Sequence, residues 1–132
     1  MQKNIQKNQD YRKHLGNSQN FLTRRALIQK ILNLSSINHN DTIVEIGTGK
    51  GHLTQALCQR CGHLDSIELD RKLYEYAQAK LSHLDNLCLI YGDFLKYPLP
   101  AKGSYKVFSN IPYFITSQIM EKLTQSPNPP SE

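Results

Sequence analysis

The sequence has no tryptophan and only three cysteines. Nowhere does it hold an apolar run approaching the roughly 20 residues that a membrane helix requires. The polar start, Met1-Gln2-Lys3-Asn4, lacks the apolar stretch of a secretory signal. These absences argue against a helical membrane protein and a disulfide-stapled secreted domain, and the expected location is the cytoplasm. Cys58, Cys61 and Cys88 are an odd number outside any secretory context, so reduced thiols are expected. Internal repeats are absent too, which sets aside solenoid architectures.

What is present suits one soluble α/β domain. A chain of 132 residues with 39% hydrophobic content can bury a real core. Its net charge of +5 is unevenly placed. Residues 1–30 carry seven basic side chains against Asp10 alone, whereas the rest is close to neutral. A basic arm ahead of a near-neutral domain suits a polyanion-binding protein, and equally a solvated leader. Residues 1–17 are read as a flexible basic arm, 18–125 as the folded domain and 126–132 as a Pro-rich tail.

Hydrophobic periodicity alternates between strand and helix along the chain. Thr23 can cap a helix whose stripe is Leu27, Ile28, Ile31, Leu32 and Leu34. Strands are expected at Ile43–Ile46, Leu64–Leu69, Leu87–Tyr91 and Tyr105–Ser109. Helices are expected over His52–Cys61, ended by Gly62, after Asp70 as cap with Leu73, Tyr74, Ala77 and Leu81 on one face, and over Thr116–Leu123. The tail Ser126–Glu132, with three prolines, can be neither helix nor central strand. This order implies a doubly wound parallel α/β sheet with right-handed crossovers, four strands of which are visible.

In such a sheet, ligands bind beyond the C-terminal strand ends. The stretch Glu45-Ile46-Gly47-Thr48-Gly49-Lys50-Gly51 closes the first strand with three glycines at alternate positions. A turn of this kind brings backbone close to a ligand and leads into a helix N-terminus. Glu68 closes the second strand, 19 residues after Gly49, where a carboxylate can accept hydrogen bonds from two ribose hydroxyls. Asp93 closes the third, as a turn residue or a partner for an adenine amine. Glu45 lies in a buried strand, where it either faces the ligand crevice or pairs with a backbone donor.

Asn110-Ile111-Pro112-Tyr113 follows the fourth strand. The exocyclic amine of adenine is a poor nucleophile because its lone pair is delocalised into the ring. Two acceptors, the Asn110 side-chain oxygen and the Ile111 carbonyl, can hold its hydrogens and draw the nitrogen toward tetrahedral geometry. Pro112 fixes the turn, and Tyr113 offers a face for the base. The rest is in-line proximity to a sulfonium methyl, with no base of tuned pKa.

Together, Ser18-Gln19-Asn20-Phe21-Leu22, the glycine turn, Ile67-Glu68-Leu69-Asp70, Gly92-Asp93 and Asn110-Ile111-Pro112-Tyr113 closely resemble the rRNA adenine N6-dimethyltransferases. Thr48-Gly49-Lys50-Gly51 and the Asn-Ile-Pro-Tyr tetrapeptide look more like the erythromycin-resistance (Erm) branch than the housekeeping one, which tends to carry G-P-G and N-L-P-Y. The resemblance implies a Rossmann-like methyltransferase fold and S-adenosylmethionine as donor. It further implies an adenine of 23S rRNA as target, resistance to macrolides, lincosamides and streptogramin B as consequence, and a monomer at full length. By matching motif, Asn20 and Leu22 would contact the cofactor, Gly47 its methionine end, Glu68 the ribose and Asp93 the adenine. Asn110 would serve cofactor and target amine, with Tyr113 stacked on the base. The family continues through further strands and a small helical RNA-binding domain, so this chain reads as C-terminally truncated, with sheet order 3-2-1-4 and the fourth strand as an uncovered edge.

Three other readings compete. An inactive remnant would keep cofactor or RNA binding without transfer, and a housekeeping enzyme would act on 16S rRNA. A dinucleotide oxidoreductase would use the turn and Glu68, but G-x-G-x-G departs from G-x-G-x-x-G and the tetrapeptide would go unused. Cys58 and Cys61, with His63, suggest zinc or redox chemistry, but without a second ligand pair they read as core residues and no metal is expected.

Overall fold

A computed structural model describes residues 25–109 and 116–132. They fall into two units, one ending at Ser36 and the other running from Ile37 to Glu132. The first contributes a helix over residues 25–34, α1. Its last turn is closed by the Ser35 amide on the Ile31 carbonyl and the Ser35 hydroxyl on the Leu32 carbonyl. Leu32 is buried, whereas Leu27, Ile31 and Leu34 are exposed, so the apolar stripe read from the sequence is wider than the line of α1 that is buried.

The second unit is built on a parallel sheet. Its strands are β1 (Thr42–Ile46), β2 (His63–Glu68), β3 (Leu87–Tyr91) and β4 (Lys106–Ser109), in spatial order β3-β2-β1-β4. Parallel neighbours need crossovers. Helix α2 (His52–Cys58) joins β1 to β2, and α3 (Arg71–Leu81) joins β2 to β3. A single 3₁₀ turn, Phe94–Lys96, lies in the β3–β4 connection, and α4 (Thr116–Gln125) follows β4. The expected doubly wound sheet and its strand order are both present.

Alternation along each strand sorts side chains to two faces. On one face Val44, Ile46 and Ile67 pack with Phe94 and Tyr105, and with Ile119 and Leu123 of α4. On the other, Ile43 and Leu64 are buried on the side of α2 and α3, whose Ala56, Leu57, Ala77 and Leu81 are buried in turn. The Asp70 carboxylate caps α3 by accepting from the Lys72 and Leu73 amides.

Two expectations need correction. Helix α2 ends at Cys58 rather than Cys61: the Gly62 amide, which a longer helix would turn to the Cys58 carbonyl, donates to the Asp41 carbonyl at 2.9 Å, and the Asn86 side chain donates to the Cys58 carbonyl at 2.8 Å and the Cys61 carbonyl at 3.2 Å. The Asn86 amide thus satisfies carbonyls left open where the helix stops. Nor is β4 left as a bare edge. Beyond Pro129 and Pro130, which have no N–H, the Ser131 amide donates to the Tyr105 carbonyl at 2.8 Å. The Val107 amide donates to the Glu132 carbonyl at 2.9 Å, and the Lys106 ammonium lies 3.4 Å from the Glu132 carboxylate. The tail thus supplies partners to ladder groups of β4 that would otherwise go unmet.

Gly51 shows how closely the layers meet. A Cβ there would lie 2.6 Å from Leu81 Cδ1, and the residue has φ +88°. Gly51→Ala is expected to cost about 2 kcal/mol, combining left-handed strain with a clash against a buried side chain. Urea unfolding of the two proteins checks this; an unchanged midpoint would mean the turn is not packed on α3.

Candidate functional site

Because every strand points the same way, Glu45, Gly47, Glu68 and Asp93 are gathered at one end of the sheet. The turn after β1 needs its glycines: Gly47, Gly49 and Gly51 have φ of 87°, 57° and 88°. The Gly47 amide still donates to the Ile67 carbonyl at 2.8 Å, and the Gly51 amide closes the turn on the Thr48 carbonyl at 3.0 Å. A Cβ on Gly49 would meet open space, so at this position the turn presents bare backbone.

Glu68 is 7% exposed, and both its oxygens are engaged by backbone. Oε1 accepts from the Gly49 amide at 2.8 Å and Oε2 from the Asp70 amide at 2.9 Å. A carboxylate offers about four acceptor positions, so with these two donors among the described residues each oxygen keeps capacity for one more. The two amides fix the orientation of the carboxylate. Tyr91, paired with Glu68 in the β2–β3 register, and Leu69 next in sequence are exposed beside it.

Among the described residues, Glu45 is bonded by side-chain hydroxyls rather than by a backbone donor. It is fully buried, and its Oε1 accepts from Thr54 Oγ1 at 2.5 Å and Ser66 Oγ at 2.6 Å. Ser66 sits opposite Glu45 in the β1–β2 register, and Thr54 reaches it from α2. Since the Ser66 hydrogen goes to Glu45, the 2.6 Å contact between Thr48 and Ser66 must have Thr48 as donor. The glycine turn is thereby tied to the strands beneath it. Among the described residues nothing bonds Glu45 Oε2. Burial pushes the Glu45 pKa up to about 7, against the lowering effect of the two hydroxyls, and the nearby Glu68 charge raises it further.

Asp93 caps the 3₁₀ turn, its Oδ1 accepting from the Leu95 amide at 2.9 Å. Asn20 and Leu22, and Asn110, Ile111, Pro112 and Tyr113, lie outside the described residues. Sequence reasoning did not single out Thr48, Thr54 and Ser66. Hydroxyls interrupting buried segments beside a buried acid were the available signal. Cys58 and Cys61 are buried. Desolvation pushes the Cys58 thiol up to about 12 and raises that of Cys61, which holds both protonated and poor as metal ligands or nucleophiles. No described helix is long and apolar enough to cross a membrane.

This arrangement has close counterparts. Residues 8–132 match the model of a family described as ribosomal RNA adenine dimethylase. An rRNA adenine N-6-methyltransferase of Lysinibacillus sphaericus is 41% identical over 110 residues, which is 83% of this chain and 45% of that protein. A ribosomal RNA small subunit methyltransferase A of Borrelia garinii is 41% identical over 108 residues, 81% of this chain and 38% of that one. Among solved structures, the 23S rRNA methyltransferase ErmE superposes with a TM-score of 0.73 at 30% identity, covering 79% of this chain and 42% of ErmE. The chain spans less than half the length of these relatives. With a match that runs through the glycine turn, the Glu68 strand end and β4, the chain belongs to the ribosomal RNA adenine dimethylase family.

Proposed function

We propose that this chain forms the cofactor-binding part of an S-adenosylmethionine-dependent rRNA adenine N6-methyltransferase, with an adenine of 23S rRNA as its target. The observation that carries the reading is the Glu68 carboxylate, held by the Gly49 and Asp70 amides with acceptor capacity to spare, beside a turn of bare glycine backbone. That donor and acceptor set fits a nucleoside: two vicinal ribose hydroxyls can share one fixed carboxylate. Bound there, S-adenosylmethionine supplies an electrophilic sulfonium methyl.

The chain's own residues bind and orient. Glu68 takes the ribose, Asp93 the adenine amine, Gly47 the methionine end, with Asn20 and Leu22 adding contacts from the N-terminal segment. Asn110 and Ile111 hold the hydrogens of the target amine by side-chain oxygen and backbone carbonyl, next to Pro112, and Tyr113 stacks on the base. The basic residues 1–30 suit phosphate contacts, with binding that weakens as salt rises.

Support for 23S rather than 16S rRNA comes from the Thr48-Gly49-Lys50-Gly51 and Asn110-Ile111-Pro112-Tyr113 sequences and from the likeness to ErmE. Identity does not separate the branches, since the Borrelia relative is equally similar. The deciding experiment incubates the chain with labelled S-adenosylmethionine and purified 23S and 16S rRNA, then maps the modified base. Label at an adenine N6 of 23S rRNA is expected. Label in 16S rRNA would reassign it to the housekeeping reaction, and cofactor binding without transfer would leave a binding module.

A further inference from the structure

Lys122, on α4, has no part in the site described so far. Its ammonium donates to two carbonyls of the β3–β4 connection, those of Phe94 and Tyr97. It also lies 4.7 Å from the centre of the Phe94 ring. Both belong to the 3₁₀ turn that Asp93 caps: Phe94 is its first residue and Tyr97 follows its last, and the Tyr97 amide also donates to the Phe94 carbonyl at 3.0 Å. At the start of that turn, Asp93 accepts the Leu95 amide by its side chain and the Lys96 amide by its carbonyl. One turn of backbone therefore has a carboxylate at its head and an ammonium at its foot, and the ammonium comes from a different element.

Apolar packing flanks that contact. Ile119 and Leu123 of α4 are buried in one cluster with Phe94, and Tyr97 packs against the cluster. Leu or Met at 122 would extend this packing at no desolvation cost, whereas a half-buried ammonium is disfavoured by desolvation, which lowers its pKa, with the Asp93 charge acting the other way. What an ammonium adds is direction: it fixes two carbonyls that hydrocarbon cannot hold. Helix α4 begins at Thr116, just beyond Asn110-Ile111-Pro112-Tyr113, so what Lys122 joins is the Asp93 turn and the helix that follows the tetrapeptide.

We infer that Lys122 is a positioning residue, which sets the Asp93 turn for the adenine end of the cofactor by tying it to α4. This rests on the cofactor reading above. Lys122 touches neither ligand nor reacting atoms; it acts through Asp93.

The test is a double-mutant cycle on S-adenosylhomocysteine binding, measured by calorimetry with the whole chain. Lys122→Met should weaken binding about tenfold, in the range seen for coupled neighbours. In an Asp93→Ala background, which has no side-chain acceptor, the same change should cost nothing further, and Lys122→Arg, which keeps the charged donor, should restore most of the affinity. Equal losses in both backgrounds, or wild-type affinity in Lys122→Met, would overturn the inference. Wild-type affinity in Asp93→Ala would instead remove the adenine role of Asp93, and this inference with it. Hydrogen exchange supplies a readout independent of ligand. The Leu95, Lys96 and Tyr97 amides should lose protection in Lys122→Met and keep it in Lys122→Arg; unchanged protection in the methionine variant would show that nothing is being held.

Discussion

Glu68→Ala should weaken S-adenosylmethionine binding by about 100-fold. Two hydrogen bonds from ribose hydroxyls to a charged acceptor contribute about 3 kcal/mol together, and every 1.4 kcal/mol is tenfold. The loss exceeds that of an ordinary surface carboxylate because Glu68 is already oriented. Its oxygens are fixed by the Gly49 and Asp70 amides at 2.8 and 2.9 Å, so little ordering remains to be done on binding. Glutamine is expected to be almost as damaging as alanine. Both oxygens of Glu68 face a backbone N–H, so an amide in its place must turn its NH₂ group against one of those donors. Calorimetric titration of wild type, Glu68→Ala and Glu68→Gln checks this, with circular dichroism to establish that each variant is folded. Wild-type affinity in a folded Glu68→Ala would place the nucleoside elsewhere.

Much of this site was legible because its chemistry is local. Three glycines at alternate positions announce a turn with positive φ, and the turn is found at Gly47, Gly49 and Gly51. The parallel sheet was legible for a related reason. Strands covered on both faces read as short apolar runs, and β1 does so, buried from Ile43 to Ile46; β3 reads as apolar too, although it lies at the sheet edge with Cys88 and Tyr91 exposed. What stayed hidden depends on contacts between distant residues. Ser66 lies 21 positions from Glu45 and meets it only once β1 and β2 are in register. Asn86 caps the end of α2 from 28 positions away. Lys122 reads in sequence as one more exposed charge on an amphipathic helix, yet its partners are carbonyls, which leave no trace in side-chain pattern. The pairing of Ser131 and Glu132 along β4 was obscured by the prolines before them, which mark a break and do not reveal where the next free amide goes.

The Glu45 cluster leads to the second large effect, on stability and its dependence on pH. A carboxyl whose pKa rises on folding, here from the ordinary range to about 7, binds its proton more tightly in the native state. The unfolded chain gives that proton up first, near pH 4.5. Stability from this group is therefore fully present below the unfolded value and is lost as pH rises through the folded one. A shift of this size corresponds to about 3 kcal/mol between the two limits. The groups that set it are the desolvating layers, the Thr54 and Ser66 hydroxyls that partly counter them, and the Glu68 charge. Glu45→Gln keeps an oxygen for both hydroxyls and removes the titration. The variant should thus gain on wild type by about 2.5 kcal/mol between pH 5 and pH 8.5, whatever its stability at pH 5. Urea unfolding at the two pH values reads the difference directly, and because other titrating groups are common to both proteins, their contributions cancel. Parallel behaviour of the two proteins would mean that Glu45 is ionised in the fold throughout, with a donor at Oε2 to hold it so.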